Sequence, residues 1–222
     1  MEVADVKRWA AVNYHSRLLA ASLSIYLTGA PAQTPQLLPA AEEVAGASQA
    51  EWSKLWWQWA ASFDRMASPV SDQTGALCSL KQSGPVWYLA GTYGTHRTVR
   101  ECTVPRDKYL FFPLINYIVV RGVNSKTSCL GLMSQAAQMT NDAASLVLEV
   151  DGIRSSGLVA HRQAPSGRFD VSALSEKPVN IPAAANGYYV MLRPLSPGVH
   201  TLNFGGALPS MLQGVTYTLR VE

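Results

Sequence analysis

From residue 85 to the C-terminus the hydrophobic pattern runs at a period of two, and this period limits the available folds more than any other feature of the chain. In VTYTLRV (215–221) Val215, Tyr217, Leu219 and Val221 share one face, with Thr216, Thr218 and Arg220 on the other, as in a half-buried strand. Similar runs rich in β-branched and aromatic residues occupy 85–91 (PVWYLAG), 97–103 (RTVRECT) and 108–118 (KYLFFPLINYI). Pro113 cannot donate to a ladder, so it marks an edge position or a bulge. LVLEV and IRSSGLVAH flank Asp151-Gly152, a type I′ hairpin signal. A further strand is expected at 168–173, Asn186-Gly187 opens YYVMLR, and Pro197-Gly198 separates that run from VHTLNFG. The segment 91–95 (GTYGT) reads as a hairpin turn. About nine short strands with turns roughly every 8–12 residues predict a mainly β fold, an antiparallel two-sheet sandwich. Nothing alternates as βαβ units, which argues against a doubly wound sheet.

One or two helices accompany the strands. Ser48 is a candidate N-cap with Glu51 three residues on, and a helix to about Met66 follows. Trp52, Trp56, Trp59 and Phe63 fall at i, i+4, i+7 and i+11, a single stripe, with Trp57 a quarter-turn off it. Such a face docks a helix on a sheet, although tryptophans this dense also suit sugar stacking or a membrane interface. A second helix is expected within 129–144, with Leu132, Ala136 and Met139 inward. Residues 33–47 are rich in Pro and Ala and read as a linker, so the sandwich with its Trp-rich helix is expected over 48–222.

The first 32 residues read as a signal peptide. Lys7, Arg8 and Arg17 outweigh Glu2 and Asp5, the run 18–27 (LLAASLSIYL) is apolar, and Ala30-Pro31-Ala32 is a small-x-small cleavage site. The apolar run is too short for a permanent span, so the expectation is a secreted or periplasmic protein with no stable membrane span after cleavage. The cysteines agree, because an oxidising compartment permits a disulfide. Cys78 and Cys102 are the favoured pair, closing a loop of about 25 residues worth on the order of 3 kcal/mol. Cys102–Cys129 competes, as do three reduced thiols. With 48% hydrophobic and 15% charged residues the chain is not disordered. A net charge of +3, spread along the sequence, is too weak to imply a nucleic-acid partner.

Two stretches carry a resemblance. WSKLWWQWAASF, TGALCSL, GPVWYLAG and RECTVPRDKYLFFPLIN within 52–116, and NGYYVMLRPLSPGVHTLNFGG with VTYTLRV within 186–221, are similar to a family of exported bacterial proteins without an assigned activity. There a Trp-rich helix precedes a GxVWFLAG-like strand, and a cysteine precedes a VPxGK-like turn. The C-terminal stretch also resembles the closing strands of immunoglobulin-like sandwiches. Arg106-Asp107 stands where the family pattern has a small residue and Gly, which puts the turn before Lys108 in doubt. The resemblance implies export and a sandwich and supplies no catalytic residues.

Motifs for chemistry are sparse. The chain has no GxSxG elbow, HExxH, Walker lysine or EF-hand loop. His96, His161 and His200 are far apart in sequence, so neither a metal site nor a cofactor is expected. A Cys129–His pair would need a reactive thiol that an oxidising compartment disfavours. Asp72, Glu101, Asp107 and Asp170 fall in or beside loops, where a hydrolase could pair two of them. The best candidate for binding is a cluster within 72–116: Asp72, Gln82, Trp87, Tyr93, His96, Arg97, Arg100 and Asn116, which combines aromatic faces with planar hydrogen-bonding groups. The same residues would serve as core and as a charged strand edge. The expectation is an exported, non-catalytic sandwich that binds a glycan, an envelope component or a protein partner. The alternatives are a secreted hydrolase of a polysaccharide or cell-wall polymer using loop carboxylates, and a structural subunit of an envelope assembly.

Overall fold

The period-two runs pair into two five-stranded sheets in a computed structural model that describes residues 37–94, 97–122, 124–171 and 180–222. The first sheet is ordered β1 (Val86–Tyr88), β3 (Tyr109–Val120), β8 (Pro182–Leu192) and β6 (Arg162–Gln163), with β7 (Phe169–Asp170) also paired to β8. The second runs β2 (Arg97–Val104), β10 (Met211–Val221), β9 (Gly198–Leu208), β4 (Ala144–Val150) and β5 (Ile153–Arg154). Strand accounts for 42% and helix for 18% of the described residues, so the fold is the expected mainly β two-sheet sandwich. Pairing is antiparallel except at β1–β3 and β2–β10, which are parallel. Residues 1–32, where the sequence predicts a signal peptide, residues 172–173 of the expected strand, and His96 lie outside the described residues.

The core between the sheets follows the alternation. Val215, Tyr217, Leu219 and Val221 are buried together with Leu202 and Phe204 of β9 and Leu110, Phe112 and Leu114 of β3. Phe112 and Phe204 meet across the gap with ring centroids 4.5 Å apart. Asp151 and Gly152 take φ of 51° and 79°, the left-handed pair a type I′ turn requires, and β4–β5 closes there.

Two turn readings differ. The described part of the 91–95 segment, residues 91–94, is not a hairpin turn, because β1 and β2 lie in different sheets and the chain crosses between layers there. Gln213 of β10 fixes the crossover: its Oε1 accepts from Thr92 N (2.9 Å), and its Nε2 donates to the carbonyls of Pro113 (2.7 Å) and Leu114 (2.9 Å). Those carbonyls are available because β3 shifts register between Pro113 and Ile115, the bulge that Pro113 signalled. Asn186-Gly187 does not open a strand; it sits inside β8. Gly187 pairs with Asn116, and a Cβ there would come within 2.6 Å of Asn116 Cα, so glycine serves close approach of two strands rather than a turn.

α1 (Gln49–Ala61) is capped by Ser48 Oγ, which accepts from Glu51 N at 3.2 Å, and it ends before Met66; Arg65–Ala67 form a separate 3₁₀ turn. Trp52, Trp56, Trp59 and Phe63 are all buried against the outer face of the first sheet, on Val86, Tyr88, Phe111, Tyr189 and Met191. Their indoles also pin the chain. Trp52 donates to Val44 O, Trp56 to Leu89 O and Trp59 to Leu80 O, each at 3.0 Å. Residues 37–47 are therefore not a loose linker: Leu38 is fully buried, its N–H donates to Met191 O (2.9 Å), and Val44 packs under α1. α2 (Cys129–Thr140) lies on the other face of that sheet, the one that also meets the second sheet, where Leu132 and Ala136 pack on Ala184 and Thr140 bonds Asn186; Met139 is only half-buried. Covered on both faces, every residue of β8 is buried.

Cys78 and Cys102 form a disulfide, with Cα atoms 6.0 Å apart, and Cys129 is free. The bridge ties the 72–82 loop to β2, and Glu101 N donates to Thr74 O at 2.8 Å. Gly75 (φ +91°) makes this approach possible, since a Cβ would lie 2.0 Å from Glu101 O. The loop thereby covers the open edge of β2, which would otherwise offer unpaired ladder groups.

Candidate functional site

The structure divides the seven described residues of the cluster, all but His96, between framework and surface. Arg100 is 1% exposed, and its guanidinium is consumed by oxygen acceptors of the chain: Asp72 O and Ala90 O (2.7 Å each), Gly91 O (3.0 Å), Val70 O (3.1 Å) and the Tyr217 hydroxyl (3.2 Å). Gln82 bridges the carbonyls of Cys78 and Tyr88 and accepts from Tyr88 N (2.9 Å). Trp87 lies in the inter-sheet core. These three hold the fold and offer nothing to a ligand. The Asp72 carboxylate is occupied by its own loop, accepting from Thr74 N (2.8 Å), Thr74 Oγ1 (2.9 Å) and Leu77 N (2.8 Å). Burial works to raise its pKa, but these bonds outweigh that effect and hold it below the ordinary value.

Arg97 lies elsewhere, on the outer face of the second sheet, beside a groove of about 440 Å³ over Gly205 and Gly214. Its polar groups satisfy one another: Arg97 donates to Thr216 Oγ1 (2.8 Å), Thr216 to Asn203 Oδ1 (2.7 Å), and Asn203 to Glu149 Oε1 (3.0 Å).

Tyr93 and Asn116 do come together, in a cleft of about 420 Å³ between α1 and the sheets. α1 contributes Trp56 and Trp57, the turn after it Phe63 and Arg65, and the crossover Thr92 and Tyr93. β3 adds Asn116, Tyr117 and Ile118, and β10 closes the floor with Met211 and Gln213. The volume falls in the range of small-ligand sites, roughly 300–1,000 Å³. Most polar groups of the floor are used internally: Gln213 is spent on the crossover, and Asn116 Nδ2 donates to the Tyr189 hydroxyl (3.0 Å). Thr92 Oγ1 is the exception, buried without a partner. Trp57 Nε1 is also buried, close to the Tyr189 hydroxyl but outside good hydrogen-bond geometry. At the mouth the Arg65 guanidinium lies 5.2 Å from the centroid of the Tyr93 ring, which is 43% exposed. Burial is the largest influence on the Tyr93 phenol and raises its pKa against the opposing effects of Ser68 and Arg65, so the hydroxyl stays neutral.

A smaller pocket of about 250 Å³ adjoins the cleft. Arg65, Val70, Thr92 and Tyr93 line both, and Ser71, Gln73, Gly94 and Thr98 complete the second, which is polar.

The residues missed by sequence reasoning are chiefly Trp57, Arg65 and Thr92. Trp57 carried a usable signal: it is the one tryptophan of the helix off the docking stripe. Arg65 and Thr92 carried none, being brought to the cleft by the turn after α1 and by the crossover.

The carboxylates considered for hydrolysis are scattered: Asp107 in the β2–β3 turn, Glu101 exposed on β2, Asp170 on β7 accepting from Ile181 N (2.8 Å). An acid–imidazole pair does exist, His200 Nδ1 to Asp151 Oδ2 at 2.7 Å, but Nε2 is engaged by Ser196 O at 2.8 Å, leaving no nitrogen for a substrate. Among the described residues no three His, Cys, Asp or Glu are grouped to hold a metal ion, and no helix is long and apolar enough to cross a membrane.

The fold and cleft define a two-sheet β-sandwich with a helix-flanked aromatic pocket. No family model matches the chain, and no curated protein matches it. A chain from the structure of PbICP-C in complex with falcipain-2 aligns over 63% of this chain and all of its own length, at 7% identity and a TM-score of 0.26. A likeness that loose carries no information about fold or function.

Proposed function

We propose that this is an exported, non-catalytic β-sandwich protein that binds a component of the cell envelope, of glycan or other small-ligand type, in the aromatic cleft. One observation supports this above the rest: the described lining joins Trp57, Phe63, Tyr93 and Tyr117 to an arginine and neutral hydrogen-bonding groups, a set that holds a ligand and moves no proton. Export rests on the charge, apolar run and small-residue site of residues 1–32, with a disulfide in keeping. A saccharide would stack on the exposed aromatic rings, and an apolar ligand would fill the space between them.

The test is tryptophan emission of the purified protein titrated with N-acetylglucosamine oligomers and with the neutral dye N-phenyl-1-naphthylamine. At least one ligand perturbs emission saturably, and Trp57→Ala removes the effect. Saturable binding that survives Trp57→Ala would place the site elsewhere. Release of new reducing ends from the oligomers would overturn the non-catalytic reading.

A further inference from the structure

We infer that the cleft takes a small amphipathic anion: an apolar body between the aromatic walls and a single acidic group held by Arg65. This rests on the binding reading above and narrows its ligand class. The apolar half follows from Trp57, Phe63, Tyr117, Ile118 and Met211, which outnumber the polar groups of the cleft, and from the internal use of Gln213 and of the Asn116 amide. A hydroxyl-rich ligand needs a partner for nearly every hydroxyl it buries, and this wall offers few.

The acidic half follows from the junction of the two pockets. Arg65 belongs to both linings, it is exposed, and it makes no ion pair among the described residues. Its guanidinium rests near the Tyr93 ring, which orients the planar fork without neutralising it. Thr92 Oγ1, buried and unpartnered, lies on the same shared wall and can donate a hydrogen bond to an anionic oxygen. Apolar cleft, cationic junction and small polar pocket thus follow one another in the order in which an amphipathic acid presents its parts. The acid can be a carboxylate, sulfonate or phosphate ester, because the fork matches any of them.

A matched pair of dyes tests this: 1-anilinonaphthalene-8-sulfonate, and N-phenyl-1-naphthylamine, which is the same skeleton without the sulfonate. The sulfonate binds at one site and about tenfold tighter, as one charge-assisted contact provides. Arg65→Gln lowers its affinity to that of the neutral dye and leaves the neutral dye unchanged. Trp57→Ala abolishes both; should that variant not fold, Met211→Trp, which fills the cleft from its rim, replaces it. Equal affinities, or a preference that survives Arg65→Gln, overturn the anion assignment while the cleft reading stands. Failure of both dyes to bind overturns both. Vesicles of phosphatidylglycerol carry an acid of the same class in a bilayer and leave the protein in the supernatant. Sedimentation that Arg65→Gln removes would reassign the acid to a membrane headgroup and overturn the soluble ligand.

Discussion

Breaking the Cys78–Cys102 bridge is the perturbation whose size the structure fixes most directly. The bond closes a loop spanning 24 positions of sequence, and chain-entropy reasoning for a loop of that size gives about 3.5 kcal/mol through restriction of the unfolded state. For a domain of this length each kcal/mol moves the midpoint by roughly 2–4 °C, so reduction lowers Tm by about 7–14 °C. The folded state changes less, because Gly75, Thr74 and Asp72 keep their hydrogen bonds to β2 and within the loop. The assay is differential scanning calorimetry of the protein with and without a thiol reductant, beside the paired variant Cys78→Ala with Cys102→Ala. Cys129→Ser is the control: it keeps the bridge, so its Tm matches that of the unsubstituted protein and falls by the same amount on reduction. A Tm that stays within about 2 °C on verified reduction would refute the reasoning. It would mean that residual structure in the unfolded chain already restricts this loop.

Other perturbations separate framework from site. Arg100→Lys keeps the charge, but one ammonium reaches at most three of the five acceptors, so denaturant unfolding shows a loss of roughly 2–5 kcal/mol while dye binding at the cleft persists. Gly187→Ala drives a methyl against the β3 main chain at Asn116, which also lines the cleft, and denaturant unfolding shows a loss of roughly 1–3 kcal/mol together with weaker dye binding. Acid weakens the fold in two steps. Burial depresses the pKa of His161, whose Nδ1 has no partner, so stability is lost as pH falls from the unfolded histidine value, about 6.5, toward the lower folded one. Asp72 is depressed as well, so its contribution is present above the unfolded carboxylate value, near 4, and disappears as pH falls through the folded one. Tm measured against pH loses its upper step in His161→Phe and its lower step in Asp72→Asn.

Much of the fold could be read from the sequence because periodicity is a local property. The 215–221 alternation, the Trp52–Trp56–Trp59 stripe, the Ser48 cap and the Asp151-Gly152 turn each follow from neighbours within a few residues, and each has its expected place. Pairing is not local. Whether β1 and β2 share a sheet depends on Gln213, some hundred and twenty positions from Thr92. Asn186-Gly187 shows the same limit: the dipeptide suits a turn, yet its glycine answers to Asn116 in the neighbouring strand. The polar cluster of 72–116 was identified by residue type, and type does not say whether a guanidinium faces solvent or a ring of carbonyls. Arg97 and Arg100 are three residues apart on β2 and so point to opposite faces, one exposed and one buried.

The useful distinction among polar groups in this molecule is therefore whether the fold has already used them. Arg100, Gln82, Gln213 and the Asp72 carboxylate each end on main-chain atoms of loops or bulges, where a sandwich with a mixed-sheet crossover leaves groups the ladders cannot satisfy. Buried and saturated, they could turn to a ligand only by orphaning a carbonyl or an N–H, at about 1–3 kcal/mol each. Arg65 and Thr92 are under no such constraint. The same accounting sorts the tryptophans: Trp52, Trp56 and Trp59 spend their indole N–H groups on Val44, Leu89 and Leu80, while Trp57 keeps its own and lines the cleft. Three indoles fix the helix rigidly enough that the fourth can stand at a wall without collapsing into it, and that rigidity is what keeps an aromatic space of this size open above the sheet.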